Sequence, residues 1–532
     1  MNKKKEKLDQ ELEQWLSDFY KKEGAGEGGK SEAGKSEAGK RRNPGSNKSR
    51  RKQKNPTAAK SVCPAAERCG GCQLLHIPYE EQLRQKRERV TELLKGLCPV
   101  VSIVGMDQPW HYRNKVHAVF DHDLKGNPVS GVYEAGSHRV VPVESCLIED
   151  EKADQIIGTI RSMLRSFKIR TYDEDTGYGL LRHVLVRVGK FSGQIMVVLV
   201  TASPIFPSKN HFLKALREKH PEITTIVQNT NDKDTSMVLG DKESILYGKG
   251  YIEDSLCGYT FRISPKSFYQ INPVQTEKLY QKSIELAGLT GKEMVLDAYC
   301  GTGTIGIIAA SQARQVIGVE LNPDAVRDGV KNIRKNQIRN MDIYCNDASV
   351  FLREMAERGE KIDVVFMDPP RSGSTEIFMD AVGKMGPSRV VYISCGPESL
   401  ARDLKYFKKL GYQAKGAWMY DLFPQTEHVE SIVLLSKLKS NKLKHINVEL
   451  EMDEFDLTAV ESKVTYEEIK DYVLKHSGLK VSNLYIAQIK QKYGIIERAN
   501  CNLPKSENFK QSKCPPEKEA AIREALEYFK MI

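Results

Sequence analysis

The sequence predicts an α/β fold whose main feature is a doubly wound, largely parallel sheet over residues 256–438. Apolar runs of strand length alternate there with helical stretches, a pattern typical of parallel strands joined by crossover helices. Polar residues stand at the ends of three of these runs, namely Glu320, Asp368 and Cys395. Because open α/β sheets bind ligands at the carboxyl ends of their strands, these residues mark a candidate site.

The individual elements of this region follow from the same alternation. Its predicted strands span residues 294–298, 316–320, 341–345, 364–367, 390–394 and 429–436. Its predicted helices include residues 304–310, 323–336 and 397–410. Each helix lies between two strands, so the chain returns to the same edge of the sheet before the next strand begins.

The remainder of the chain divides into four further regions. We expect a basic disordered tail over residues 1–60, a cysteine-rich region that includes the first part of the central domain over 61–150, a central α+β domain that contacts the macromolecular partner over 151–255 and a helical extension over 439–532. The predicted elements outside the main sheet are helices 80–95, 154–167, 208–219, 466–476, 482–493 and 517–529, and strands 116–120, 131–133, 181–188, 194–201 and 225–228.

Charge is concentrated in the tail. Residues 1–60 carry 17 basic and 9 acidic side chains, and the block from Lys40 to Lys60 has nine Lys or Arg and no acid. Such a block either binds phosphate backbones or only solubilises the chain. The sequence has no apolar run long enough for a membrane span and no secretory signal. We therefore expect a cytoplasmic protein that does not act at a membrane and whose eleven cysteines are reduced.

A cofactor site is predicted where the first strand of the sheet enters a glycine turn. Val295-Leu-Asp-Ala-Tyr299-Cys-Gly301-Thr-Gly303-Thr runs from strand to turn to helix, and Glu320 ends the next strand. An acid at that point accepts the ribose hydroxyls of a nucleoside cofactor. Together with Asp368-Pro-Pro, the pattern favours S-adenosylmethionine over a nicotinamide dinucleotide. Asp347 follows the third strand and either meets the adenine amine or caps a helix.

The reaction centre is predicted around Cys395 and Asp368. Enzymes that methylate exocyclic amines usually have an aromatic residue after Asp-Pro-Pro, whereas this chain has Arg371. A thiolate from Cys395 can instead add to C6 of a pyrimidine and make C5 nucleophilic, and Glu430 can remove the C5 proton. The simpler interpretation of Cys395 is a small buried apolar residue.

Three cysteines in one tight loop, Cys63, Cys69 and Cys72, predict a metal centre. Cys146 is the candidate for a fourth ligand from a distant loop. Three thiolates plus one favour a cubane iron–sulfur cluster. Zinc is the alternative, although it usually takes two Cys-x-x-Cys pairs.

These motifs together resemble the RNA uracil-5-methyltransferase family. The resemblance spans roughly residues 61–438 and includes the cysteine loop with Cys146, Gly179-Leu-Leu-Arg-His183, Phe268-Tyr-Gln-Ile-Asn272, the glycine turn, Asp368-Pro-Pro-Arg371, Ser394-Cys-Gly-Pro397 and Gln425-Thr-x-His-x-Glu430. It implies a class I, Rossmann-like methyltransferase domain that acts on RNA.

The resemblance also implies roles for individual residues. It implies a [4Fe-4S] cluster on Cys63, Cys69, Cys72 and Cys146, and S-adenosylmethionine contacts from Gln270, Tyr299, Glu320, Asp347 and Asp368. It implies Cys395 as the nucleophile and Glu430 as the base. The cluster favours the branch that modifies ribosomal RNA, because the transfer RNA enzyme of this group looks cluster-free.

Several alternatives remain open at this point. The chain could modify transfer RNA, or it could be an RNA cytosine-5-methyltransferase or a non-catalytic RNA-binding assembly factor. The basic tail stands where some family members have a small RNA-binding barrel, and we expect residues 40–60 to replace its phosphate contacts. Further candidate RNA contacts are Arg84, Lys86, Arg87, Trp110, His111 and Tyr112. The sequence implies no obligate protein partner.

Overall fold

The computed structural model describes residues 63–134, 137–233, 235, 237–438, 466–493 and 514–529. These residues form two compact units, divided between residues 443 and 444. The predicted basic tail and its RNA contacts lie outside the described residues. Among the helices that are described, none is both long enough and apolar enough to cross a membrane.

The described residues contain seventeen strands and thirteen helices. The strands are β1 Val100–Val104, β2 Lys115–His122, β3 Pro128–Tyr133, β4 Val140–Pro142, β5 Leu181–Val188, β6 Ile195–Thr201, β7 Ile223–Thr230, β8 Lys242–Tyr247, β9 Ile252–Leu256, β10 Tyr259–Ile263, β11 Met294–Ala298, β12 Gln315–Glu320, β13 Met341–Cys345, β14 Val364–Met367, β15 Arg389–Ser394, β16 Tyr412–Tyr420 and β17 Glu430–Lys437. The helices are α1 Ala66–Cys69, α2 Tyr79–Leu93, α3 Glu151–Met163, α4 Lys209–Lys219, α5 Pro273–Ala287, α6 Thr304–Ala310, α7 Pro323–Lys335, α8 Ala348–Glu357, α9 Glu376–Met385, α10 Pro397–Lys409, α11 Tyr466–Ser477, α12 Asn483–Lys492 and α13 Pro516–Tyr528.

The larger sheet has eight strands in the order β1-β16-β17-β15-β14-β11-β12-β13. Its strands are parallel except β17, which runs antiparallel to both of its neighbours, β15 and β16. The carboxyl ends of β11, β12, β14 and β15 therefore share one edge with the beginning of β17. The predicted α/β fold is confirmed, and this edge holds the polar residues that the sequence marked.

Both faces of this sheet are covered, which explains why its strands are continuous apolar runs. In β14, Val364 and Phe366 pack on one face against α5, α6 and α7. Val365 and Met367 pack on the other face against α2, α8, α9 and α10. Helix α2 and strand β1 precede the central sheet in the chain, yet they pack with this larger sheet.

The central sheet has seven strands in the order β4-β3-β2-β5-β6-β7-β8. Its helices α3 and α4 bury Ile156, Ile160 and Phe212 against β5 and β6. The opposite face, with Leu185 and Met196, belongs to the same core as one face of the larger sheet. The two sheets are therefore held together by a shared apolar layer.

The second unit consists of α11, α12 and α13 around a small core. Ile469, Val473, Ile486, Ile522 and Leu526 form the centre of that core, and all five are buried. The predicted helices at 466–476, 482–493 and 517–529 are confirmed to within one residue at each end.

Candidate active site

A cavity of about 550 Å³ opens at the shared edge of the larger sheet. Six of the seven residues predicted for catalysis and cofactor binding line it. They are Gln270, Tyr299, Glu320, Asp368, Cys395 and Glu430. Asp347 does not line this cavity. Its Oδ1 accepts hydrogen bonds from the backbone N–H groups of Ser349 and Val350, so it caps α8.

The glycine turn after β11 brings backbone close to the cavity. Gly301 has a φ of +56°, and its N–H donates to Glu320 at 2.9 Å. Glu320 also accepts from the N–H of Asn322 at 2.8 Å, so two backbone donors orient its carboxylate. Tyr299, which precedes the turn, has a φ of +61°, an uncommon conformation for a residue with a side chain.

Gly306 allows the turn to pack closely, although it lies beyond the predicted glycine turn, which ended at Thr304. Its N–H donates to Asp297 Oδ2 at 2.7 Å. A Cβ at this position would lie 2.6 Å from Met341 Cε and 2.9 Å from that carboxylate oxygen. The signal in the sequence was a third glycine at the spacing Gly-x-Gly-x-x-Gly, which is typical of nucleotide-binding turns.

Tyr299 and Gln270 present side chains to the same cavity. The Tyr299 ring lies 5.4 Å from that of Phe378, and its hydroxyl lies 3.3 Å from Ser374 Oγ. The Gln270 side chain lies close enough to the hydroxyl of Tyr280 to lower its pKa, against the rise that burial causes. Each of the two residues therefore has a neighbouring polar side chain at the cavity.

Cys395 lies directly after β15, one residue before the N-cap of α10. The turn is tight, because a Cβ on Gly396 would lie 2.8 Å from the carbonyl oxygen of Arg371. Burial, with the charges of Glu430 and Asp368 as smaller causes, raises the pKa of the Cys395 thiol to about 11. Arg371 lowers that pKa, and the nearby helix N-terminus favours a thiolate.

Glu430, which is buried, and Asp368, which is half-buried, are carboxyl groups beside this thiol. Burial raises the pKa of both groups, and the charge of Asp368 adds to the rise at Glu430 while Arg371 opposes it. Ser394 of β15 pairs with Ser431 of β17, so Cys395 and Glu430 are adjacent at the edge. A carboxyl group with a raised pKa next to a thiol is suited to proton transfer near neutral pH.

Aromatic side chains that the sequence analysis did not assign to the site complete the cavity wall. Phe268 lines the cavity and is 65% exposed, which leaves its ring open to a stacking partner. Phe423 also lines the cavity and comes from the connection between β16 and β17. The periodic spacing of apolar residues that marks helices and strands does not mark Phe423, because this residue lies in a connection and its exposure depends on how that connection folds.

The four predicted metal ligands come from two separate segments. The thiols of Cys63 and Cys69 both raise the pKa of Cys72, for which burial is the largest cause. Burial raises the pKa of Cys146, and Glu149 adds to the rise. Glu149 also raises the pKa of Cys69 and Cys72, so the two segments share a neighbour. Within the described ranges, no three His, Cys, Asp or Glu side chains are arranged to hold a metal ion.

Two of the predicted RNA contacts are wrong. Lys86 is buried and forms an ion pair with Asp421. Tyr112 is also buried, and its hydroxyl donates to the carbonyl of Pro424 at 2.9 Å. The basic helix pattern that suggested RNA contact has an inner face that packs on the protein, and Lys86 lies on that face.

The other predicted RNA contacts keep access to solvent. Arg84 is exposed and pairs with Glu81 and Glu88 on the surface of α2. Arg87 is exposed, Trp110 is 38% exposed and His111 is half-buried.

Comparisons with known proteins give a consistent result. A family described as tRNA (Uracil-5-)-methyltransferase matches residues 78–438. An uncharacterized RNA methyltransferase of Halalkalibacterium halodurans is 40% identical over 386 residues, covering 72% of this chain and 84% of that protein. One from Clostridium tetani is 41% identical over 378 residues, covering 70% and 82%. The Pyrococcus abyssi tRNA (uracil-54, C5)-methyltransferase, solved with S-adenosyl-L-homocysteine, has a TM-score of 0.59 and 26% identity, covering 69% and 86%.

Proposed function

The chain belongs to the tRNA (uracil-5-)-methyltransferase family and is an S-adenosylmethionine-dependent RNA methyltransferase, and from this premise we propose its substrate and mechanism. We propose that it methylates C5 of uracil in 23S ribosomal RNA through a covalent adduct between Cys395 and C6. The observation that carries the mechanism is the adjacency of Cys395 and Glu430 in one cavity with Asp368.

The proposed reaction uses Cys395 twice. Its thiolate adds to C6 of the uracil, which makes C5 nucleophilic toward an electrophilic carbon. S-adenosylmethionine supplies a methyl group on a sulfonium, and C5 takes that methyl group. Glu430 then removes the C5 proton, the C6–S bond breaks and the thiolate is regenerated. The net products are the methylated base, S-adenosylhomocysteine and one proton.

Other residues that line the cavity are suited to contact S-adenosylmethionine and the RNA base. Glu320, held by two backbone N–H groups, is suited to accept the hydroxyls of a ribose. Tyr299, whose hydroxyl contacts Ser374, and Gln270, which lies next to Tyr280, offer aromatic and polar contacts to a ligand. The open ring of Phe268 is suited to stack on a base that has left its helix.

The iron–sulfur cluster is a further part of the proposal. Four thiols fit a [4Fe-4S] cluster chemically. The charge of Glu149 raises the pKa of Cys69, Cys72 and Cys146, so these three thiols lie near the same carboxylate. Cys63 would be the fourth ligand. A bound cluster would tie the loop before α2 to the segment around Cys146. We assign it no electron-transfer step.

The choice of ribosomal over transfer RNA rests on these cysteines. The solved relative from Pyrococcus abyssi acts on uracil-54 of transfer RNA, which makes transfer RNA the second candidate substrate. Both candidates share the same chemistry at Cys395. An experiment that identifies the labelled RNA therefore separates them without testing the mechanism again.

The test uses purified enzyme, tritiated S-adenosylmethionine and unmodified 23S ribosomal RNA and transfer RNA, followed by nucleoside analysis. We expect label in 5-methyluridine from 23S ribosomal RNA. Label in 5-methyluridine from transfer RNA alone would overturn the proposal that 23S ribosomal RNA is the substrate. Label in 5-methylcytidine would overturn the proposal that uracil is the methylated base. In Cys395→Ala, methylation should disappear while RNA binding persists; methylation that survives would refute the covalent mechanism.

A further inference from the structure

The connection between β16 and β17, residues 421–429, is held from outside the cavity by α2. The ammonium of Lys86 lies 2.7 Å from Asp421 Oδ1 and 3.2 Å from the carbonyl oxygen of Phe423. The hydroxyl of Tyr79 donates to Asp421 Oδ2 at 2.9 Å. The connection carries Phe423 and leads into Glu430, and both residues line the cavity.

Gln82 of α2 makes a reciprocal pair of hydrogen bonds with Gln425 in this connection. Gln82 Nε2 donates to Gln425 Oε1 at 2.8 Å, and the Gln425 N–H donates to Gln82 Oε1 at 3.1 Å. Both side chains are 1% exposed, so water does not compete for these bonds. An amide side chain is the group that can donate and accept in this way.

Gln425 has a backbone conformation that needs such support. Its φ is +69°, in the left-handed region that residues with a Cβ rarely adopt. Its N–H and its side-chain carbonyl are both bonded to Gln82, and its backbone carbonyl accepts from the N–H of Leu74 at 3.0 Å. The surroundings therefore fix a turn that the chain would not favour by itself.

The same contacts reach the cysteine loop. Leu74 follows Cys72 by two residues, and its carbonyl accepts from Gln82 Nε2 at 3.1 Å. Gln82 Nε2 also donates to the carbonyl of Ile77 at 2.8 Å. Gln82 thus joins three pieces of chain: the segment after the cysteine loop, its own helix and the turn at Gln425.

We propose that Gln82 is a positioning residue for Glu430, and that it couples the cysteine loop to proton removal in the cavity. None of the hydrogen bonds of Gln82 described above reaches a residue that lines the cavity. It holds the turn at Gln425, and this turn sets where the connection enters β17 and hence where the Glu430 carboxylate lies. The inference rests on the proposed function, because it concerns the step after methyl transfer.

The test compares Gln82→Ala with Gln85→Ala. Gln85 is the same residue type on the same helix, but it is exposed and bonds only to Glu81 among the contacts described. Because a misplacement of about 1 Å can cost about a hundredfold in rate, we expect a turnover loss of about that size in Gln82→Ala. We expect S-adenosylmethionine affinity to stay near wild type in both variants.

The informative readout is the covalent enzyme–RNA adduct that survives denaturation. If Gln82 positions the Glu430 carboxylate, the Gln82→Ala enzyme should still form the adduct but resolve it slowly. The fraction of enzyme held as adduct should then rise above the wild-type fraction. Equal losses of cofactor affinity, adduct formation and turnover would indicate a purely structural role and overturn the proposal. Turnover equal to that of Gln85→Ala would overturn it too.

A milder variant and a second measurement cover the case in which Gln82→Ala fails to fold. Tyr112→Phe removes only the hydroxyl that donates to the carbonyl of Pro424, one residue before the turn. Amide hydrogen exchange of residues 422–430 should increase in either variant. Unchanged amide exchange in these residues would overturn the positioning role of Gln82, and this outcome does not depend on which reaction the enzyme catalyses. Absence of any adduct or 5-methyluridine in wild type would instead refute the proposed function.

Discussion

Lys86 and Asp421 form an ion pair whose side chains are 2% and 0% exposed, with Nζ and Oδ1 2.7 Å apart. Burial lowers the pKa of Lys86 and raises the pKa of Asp421, although each partner opposes the shift of the other. Desolvation therefore outweighs attraction at both groups. A pair of this kind contributes little net stability, but removing one partner leaves a buried charge without compensation.

Removal of one partner of the ion pair should therefore lower the free energy of unfolding far more than removal of both partners. We expect Lys86→Met to lower the free energy of unfolding by about 3–5 kcal/mol, and Lys86→Met/Asp421→Leu to recover most of that loss. Urea unfolding of the two variants and of Asp421→Leu gives the coupling energy. Additive losses in the double variant would contradict a buried, mutually dependent pair.

Much of the larger sheet could be predicted because its strands are buried on both faces. The bounds predicted for β11 and β14 are confirmed, since apolar runs between turns leave little freedom. The bounds of the edge strand β13 are confirmed as well, although exposed residues alternate there with more buried ones. Strand β16 and helices α5 and α9 were not predicted. Strand β16 mixes buried and exposed residues without strict alternation, so no strand pattern marks it in the sequence.

The same limit applies to the site. Residues at strand ends, such as Glu320 and Cys395, could be located from the sequence, because parallel strands bring their carboxyl ends to one edge. Lys86 could not, because a basic residue on a charged helix is usually exposed. Its burial depends on Asp421, which lies more than three hundred residues away in the chain.

Activity should rise with pH through the neutral and mildly alkaline range. The reaction needs Cys395 as a thiolate and Glu430 as a carboxylate, and burial raises the pKa of both groups. Since each group is active after losing its proton, kcat/KM should increase as pH rises toward the pKa of about 11 of Cys395.

Arg371 should set the position of this profile. Its charge lowers the pKa of both groups, so Arg371→Met should shift the rising limb to higher pH. Arg371→Lys keeps the charge and serves as the matched control. A profile that is flat from pH 6 to 9, or one that Arg371→Met leaves unmoved, would contradict this assignment of the titrating groups.

Glu320 and Asp347 should respond differently to loss of their charge. Glu320→Gln weakens an acceptor at the cavity, and we expect S-adenosylmethionine affinity to fall by about 1.5–3 kcal/mol, as for hydrogen bonds to charged groups. Asn caps helices as well as Asp does, so Asp347→Asn should leave both affinity and stability near wild type. Isothermal titration calorimetry measures the S-adenosylmethionine affinity of both variants. A clear loss of affinity in Asp347→Asn would instead support contact with the adenine.

Iron content should depend on four cysteines. We expect anaerobically purified protein to contain about four iron and four sulfide per chain, as a cubane cluster requires. Cys72→Ser and Cys146→Ser should lose most of the iron and the absorbance near 400 nm. Cys257→Ser, which changes a cysteine outside both segments, should keep them. Stoichiometric zinc in place of iron would overturn the choice of cluster.

Glu430→Gln should stop the proposed reaction at a point where it can be isolated. The variant keeps the Cys395 nucleophile and the size of the side chain, but a neutral amide cannot take the C5 proton. With RNA that carries tritium at C5 of uridine, tritium release to water should nearly cease, while a methylated enzyme–RNA adduct accumulates on denaturing gels. Cys395→Ala should show neither release nor adduct, which separates loss of the nucleophile from loss of the base. If Glu430→Gln releases tritium at the wild-type rate, another group removes the proton, and Asp368, the neighbouring carboxyl group, is the first to examine.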